Sequence, residues 1–193
     1  LDNKIYTYSG PILIAVNPFK KIDKLDNQPH PDQIAIKCYK NLPKNQSILV
    51  NGESGAGKTE TTKIILKHLT QDLQKNHNKL LTNQILASNS ILECFGNAKT
   101  IRNHNSSRFG KFIKINYNDR KQIVSGWIDT YLLEQIRITS NNLNERCFHI
   151  FYQLFPNHQD FNYLQTDVES DPYLDDQKMY QHLLEGFEFL QVN

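Results

Sequence analysis

Residues 51–60 read NGESGAGKTE and bring together glycines at 52, 55 and 57 with Lys58 and Thr59. The spacing Gly-x-x-x-x-Gly-Lys-Thr suits a phosphate. Glycines let the backbone curl until successive N–H groups point inward at anionic oxygens, and a following helix adds its positive end. In such a loop the lysine pairs with the β- and γ-phosphates, and the hydroxyl after it ligates Mg²⁺. At average residue frequencies this pattern arises by chance in a chain of this length at a rate of about one per cent. The alternative is a glycine-rich turn that merely joins a strand to a helix. A second stretch, FGNAKTIRNHNSSRFGKFIKI from Phe95 to Ile115, concentrates Asn97, Lys99, Arg102, Asn103, Asn105, Ser106, Ser107 and Arg108 in a polar loop. Amides, hydroxyls and guanidinium groups at this density can surround a phosphate, its metal and an attacking water. They also suit a solvated connection, and residue chemistry alone leaves both readings open.

The elements that must hold these residues follow from periodicity. Ile12 to Val16 and Ser47 to Val50 are short β-branched runs bounded by Pro, Gly and Asn, so both read as buried strands. After Gly57 the period changes: Ile65, Leu66, Leu69 and Leu73 fall at helical spacing, which places the glycine loop between strand and helix. Residues 77–96 read as a second helix stopped at Gly96, and 74–79 as an exposed polar connection. KFIKINY and QIVSGWIDTYLL, joined by NDRK, predict an antiparallel hairpin. Residues 144–155 and 175–190 read as helices, with an irregular acidic link between them. The fold class is therefore α/β, a phosphate-loop domain with a mixed central sheet flanked by helices.

Composition narrows the partners. A formal charge of +2, from 22 basic and 20 acidic residues, carries no excess that would favour nucleic acid or a membrane surface. Cys38, Cys94 and Cys147 are scattered without a C-x-x-C pair, which argues against a disulfide scaffold or zinc site and fits a reducing, cytoplasmic setting. No apolar run approaches the roughly 18 residues of a membrane span. The chain starts at Leu1 in mid-pattern, so a fragment is expected.

GESGAGKTE, NAKTIRNHNSSRFGKFIKI and ERCFHIFYQL, with YTYSGPILIAVNPFK upstream, closely resemble the myosin motor domain in content and order. The resemblance runs from about Leu1 to at least Leu164, so the expected domain is a partial motor over 1–193, with an upper-domain portion from about 145. It implies an actin-activated Mg-ATPase of the cytoskeleton, with ATP and Mg²⁺ as cofactors, actin filaments as partner and light chains in the intact parent. Residues 52–59 would be the P-loop, in which Gly52, Glu53, Ser54, Gly55, Ala56 and Gly57 wrap the phosphates ahead of Lys58 and Thr59. Residues 97–110 would be switch I. There, Asn103 would contact phosphate, Ser106 would close over the γ-phosphate near the lytic water, and Ser107 would complete the Mg²⁺ shell with Thr59. Arg108 would form an ion pair with a switch II glutamate. Asn17 and Pro18 would border the adenine. Lys58, Ser106 and Arg108 are thus the expected catalytic residues.

Departures from the family matter too. The segment between NPFKKI and PHPDQIAIKCYK is short, and the tyrosine usual near adenine is out of place, so base recognition is less defined than phosphate recognition. LLEQIRI replaces the family's LLEKSRV, putting Gln135 and Ile136 where lysine and serine are usual. Switch II occurs nowhere before Asn193, and VSGWID, ending at Asp129, is a poor substitute. Arg108 is then expected to lack its partner, the isolated chain to fold poorly, and its own turnover to be negligible. An alternative is a truncated, non-motor nucleotide-binding or actin-tethering protein. An unrelated phosphate-loop kinase or GTPase is disfavoured by the stretch at 97–110.

Overall fold

The computed structural model describes residues 4–20, 22, 28–72, 79–139, 145–154 and 173–191. They divide into two units, residues 1–79 with 115–125, and residues 80–114 with 126–193.

In the first unit, β1 (Tyr6–Ser9) and β2 (Ile12–Ala15) form an antiparallel hairpin with Tyr6 opposite Ala15 and Ser9 opposite Ile12. The two turn residues are Gly10, at φ 56°, and Pro11, a pair that suits a turn needing positive φ first and fixed negative φ second. Helix α1 (Pro31–Lys40) starts with proline at its first position and Asp32 in its first turn, and carries Lys37 and Lys40 in its last. Each choice matches the open N–H groups and dipole at a helix start or the carbonyls at its end. These signals all lie in the sequence of residues 31–40. Helix α2 (Lys58–Lys67) follows the glycine loop, buries Ile65 and Leu66, and runs into a π-helical turn at His68–Asp72.

The second unit is built around α3 (Lys79–Gly96), as the helical spacing predicts. It leads into β3 (Asn97–Thr100), which pairs antiparallel with β4 (Asn103–Ser107) through an irregularity between Ala98 and Thr100. The polar stretch expected to be a loop is therefore a hairpin: its amides pair across the ladder, which fixes side chains a loop would leave to solvent. Gly96 is needed at the junction, because a Cβ there would strike the Phe109 ring. Strands β5 (Gly110–Tyr117) and β6 (Ile123–Tyr131), whose residues 115–125 belong to the first unit, form the expected hairpin. At its tip, Asn118 accepts from the N–H groups of Arg120 and Gln122 through its side-chain oxygen. A short α4 (Ile136–Thr139) follows, then α5 (His149–Leu154) and α6 (Asp176–Leu190). The side chain of Asp175 caps α6 by accepting from the Lys178 N–H. Cys94, Ala98, Phe148, Ile150 and Leu183 make the core, and a single bridge joins Ala98 to Phe148.

Further expectations change. Among the described residues the sheets are three separate two-stranded pairs, and no mixed central sheet is formed. Residues 47–50 take no regular structure, since a strand is defined by a neighbouring ladder and none pairs with them; Leu49 is 90% exposed. The helix predicted over 144–155 is confined to His149–Leu154. The connections expected over 74–79 and 156–173 lie largely outside the described residues.

Candidate functional site

The phosphate-loop residues lie in the first unit. Gly57 has φ 94° and stands at the cap position of α2, where no side chain closes the helix start. The first N–H groups of that helix thus lack a capping side chain. At Gly52 a Cβ would come within 3.2 Å of the Ala56 Cβ, so a side chain there would fill the hollow of the loop. The Lys58 ammonium lies within this hollow, donating to the Gly52 carbonyl at 2.6 Å and the Glu53 carbonyl at 2.8 Å. Ala56 N–H closes the turn on the Glu53 carbonyl at 3.2 Å. Glu53 and Ser54 are exposed on the loop, and Thr59 is half-buried in the first turn of the helix.

Asn17 is brought to this loop, with Pro18 half-buried beside it. Its amide donates to the Gly55 carbonyl at 2.6 Å, and its oxygen accepts from the Phe19 N–H at 2.9 Å. A Cβ on Gly57 would lie 3.8 Å from the Asn17 Cβ. Asn17 thus reaches the motif through a hydrogen bond to the loop's backbone. An uncapped helix start, a lysine held at the loop and a glycine at 52 whose Cβ would crowd it fit a polyphosphate, and a helix-start hydroxyl at Thr59 fits the metal that accompanies one.

The second set lies in the other unit, on the hairpin of β3 and β4. Asn103 locks its own strand: its oxygen accepts from the Asn105 N–H at 3.0 Å and its amide donates to the Asn105 carbonyl at 3.3 Å. The Asn105 side-chain oxygen accepts from the Asn97 amide at 2.8 Å and lies 3.1 Å from His149 Nε2. Because that oxygen can only accept, His149 carries its proton on Nε2. Asn97 and His149 are both fully buried, so His149 is a polar tether for β4 as well as core packing. Burial also pushes the Cys94 thiol up to about 11, consistent with its expected role as a small hydrophobe.

Ser106 is buried and accepts from Arg108 Nη1 at 3.2 Å. Ser107 is half-buried and pairs with Asn97 in the ladder. Arg108, expected to lack its switch II partner, is bound twice by a different carboxylate, that of Glu134, Nε to Oε2 at 2.8 Å and Nη2 to Oε1 at 3.2 Å. Glu134 Oε2 also accepts from Arg137 Nε at 2.7 Å. Donation by Arg108 above all, against the opposing effect of burial, and donation by Arg137 hold the Glu134 carboxyl at about 2. Buried Arg137 continues to Glu145 at 2.9 Å and to the Arg146 carbonyl at 3.1 Å. Arg146 stacks on the Tyr152 ring and bonds Asp176 at 2.7 Å.

His104 rests against the Tyr173 ring with centroids 4.5 Å apart. Asp129, at the end of the poor switch II substitute VSGWID, is exposed and accepts from the Trp127 indole at 2.8 Å. Gln135 and Ile136 stand where the chain leaves β6 and enters α4, with Ile136 exposed. Sequence reasoning missed Glu134 as a partner for Arg108; the only signal was an acid three residues before an arginine.

The loop defines the class: a chain with a glycine-rich phosphate motif at the start of a helix. The family follows from comparison. Residues 1–191 match the family described as myosin head (motor domain), and the chain belongs to it. It is similar to Myosin-51 of Schizosaccharomyces pombe, at 43% identity across 79% of this chain and 12% of that protein. It is also similar to Myosin-15 of Arabidopsis thaliana, at 43% identity across 95% of this chain and 13% of that protein. Unconventional myosin-VI of Bos taurus is 44% identical across 79% of this chain and 13% of its own length. The chain thus spans about an eighth of these relatives. Among the described residues, no helix is long and apolar enough to cross a membrane.

Proposed function

We propose that this chain is the nucleotide-binding part of a myosin motor, and that in the intact protein it binds Mg·ATP and hydrolyses it to drive movement along actin filaments in the cytoskeleton. The observation that carries the reading is the Lys58 ammonium, lodged on the Gly52 and Glu53 carbonyls beside the uncapped start of α2. A triphosphate would draw that ammonium off two neutral carbonyls onto anionic oxygens, a gain because charge-assisted bonds to anions are the stronger kind.

Residues 52–59 act as the P-loop, and residues 97–110 as switch I. The loop N–H groups and Lys58 would bind the β- and γ-phosphates; Thr59 and Ser107 would hold Mg²⁺, which would screen negative charge on the phosphate oxygens. Asn103 contacts phosphate, Ser106 orients the attacking water, and Arg108 closes the site. Asn17 and Pro18 flank the nucleotide. Residues from about 145 begin the upper domain. Light chains, where present, bind the intact protein outside this chain.

The test is steady-state phosphate release by the full-length protein, with and without actin filaments. Lys58→Ala should reduce the rate by about 10²- to 10³-fold, the usual cost of one transition-state group. Turnover unchanged by that substitution would end the reading.

A further inference from the structure

Asn51 and Gly52 form the one Asn-Gly pair in the sequence, and it stands at the head of the phosphate loop. Both residues are exposed and lie outside any helix or strand. The Gly52 N–H donates to the Asn51 side-chain oxygen at 2.9 Å, the kind of local contact asparagine makes with neighbouring backbone. Cγ is one bond behind that oxygen, so the conformer that makes the hydrogen bond also sets Cγ beside the Gly52 nitrogen. Joining those two atoms closes a five-membered ring. Glycine has no Cβ to obstruct the approach. Asn45 is exposed too, but it precedes Gln46, whose side chain crowds the same nitrogen. Asn89, Asn97 and Asn105 precede small residues but lie within α3, β3 and β4, where regular structure restrains the backbone.

We propose that Asn51 is a self-modification site that converts spontaneously to aspartate and isoaspartate, and that the carboxylate so formed weakens polyphosphate binding by the loop. The Gly52 nitrogen gives its proton to solvent and attacks Cγ. The N–Cγ bond forms as the Cγ–Nδ2 bond breaks, and Nδ2 takes up a proton and leaves as ammonia. Water then opens the cyclic imide. Addition at Cγ breaks the new bond and gives aspartate; addition at the Asn51 main-chain carbonyl breaks the original peptide bond and leaves the chain running through Cγ as isoaspartate. Only water is consumed and only ammonia is released. Either product adds a negative charge beside the loop, and like charge repels an anionic ligand. Isoaspartate also lengthens the main chain by one methylene ahead of Gly52, whose carbonyl holds Lys58. The loss of affinity rests on the reading of residues 52–59 as a nucleotide loop; the conversion itself does not.

The experiment ages the full-length protein in neutral and mildly alkaline buffer and follows the tryptic peptide of residues 45–58 by mass spectrometry. Residue 51 should gain one mass unit, faster at higher pH because the attacking nitrogen must lose its proton, and well ahead of Asn45 in the same peptide. Conversion of Asn51 no faster than that of Asn45 overturns the proposal, whatever the loop binds. Fresh and aged protein are then titrated with magnesium tripolyphosphate. Converted protein should bind about fivefold more weakly, the scale of one like charge a few ångströms away in water. Asn51→Asp, which carries the charge without the added methylene, should show the same loss when fresh. Asn51→Ser, which cannot form the ring, should keep its affinity through ageing, and it carries the comparison alone if the aspartate variant does not fold. Equal affinity of fresh and converted protein overturns the proposed effect on the loop. Absence of any binding by fresh protein overturns the nucleotide reading and the loss of affinity with it, while the mass at residue 51 still decides the conversion.

Discussion

Asn17 separates two accounts of the nucleotide site. Resemblance puts it beside the base, whereas the structure puts its amide on the Gly55 carbonyl at 2.6 Å and its oxygen on the Phe19 N–H at 2.9 Å. In the second account Asn17 holds the loop carbonyl back, so the neighbouring N–H groups face the phosphates. Asn17→Ala removes two neutral hydrogen bonds worth about 0.5–1.5 kcal/mol each. The residue is half-buried, so water replaces part of the loss, leaving about 1–2 kcal/mol and roughly 5- to 30-fold weaker binding. The assay is isothermal titration of the full-length protein with Mg·ATP and with tripolyphosphate, which has no base. If Asn17 acts through the loop, both ligands weaken by the same factor. Weakening of ATP alone, with tripolyphosphate unaffected, would refute the reasoning and return Asn17 to the base.

Leu183 is 1% exposed in the core with Cys94, Ala98, Phe148 and Ile150, so Leu183→Ala should cost about 2–5 kcal/mol, read as a lower denaturant midpoint. His149→Phe keeps a buried ring but removes the donor to Asn105, and should destabilise by about 1–3 kcal/mol in the same assay; an unchanged midpoint would remove the tether. The Glu134 carboxyl, held at about 2 chiefly by donation from Arg108, binds protons less readily folded than unfolded. Its stabilising contribution is thus complete above the unfolded value of about 4.3 and is lost as pH falls through about 2. The stability difference between the natural protein and Glu134→Gln should be flat above about pH 5 and shrink below it; a difference that persists in acid would contradict the assignment.

Local patterns were legible where the local chain decides them. The helices after Gly57 and before Gly96, and the hairpin across residues 118–122, follow from period, glycine and turn chemistry, and all form. Pairing between distant residues was not legible. Ser47 to Val50 has strand composition, but a strand requires a partner, and none of the described residues supplies one. The 97–107 stretch reads as a loop because asparagines and serines seldom signal strands, yet their side chains bond one another across the hairpin. Lys58 and the glycine loop were visible because the chemistry of a phosphate loop would fix such a spacing. Glu134 was hidden because its role depends on a contact 26 residues away from Arg108.

The most direct test of the central claim is equilibrium binding of Mg·ATP to the full-length protein, compared with the Lys58→Ala variant. Saturable binding that weakens by about tenfold or more in the variant is the predicted result, since a charge-assisted contact contributes about 1.5–3 kcal/mol. Equal affinity in both proteins, or none in the natural one, would contradict the assignment of this loop as a nucleotide site.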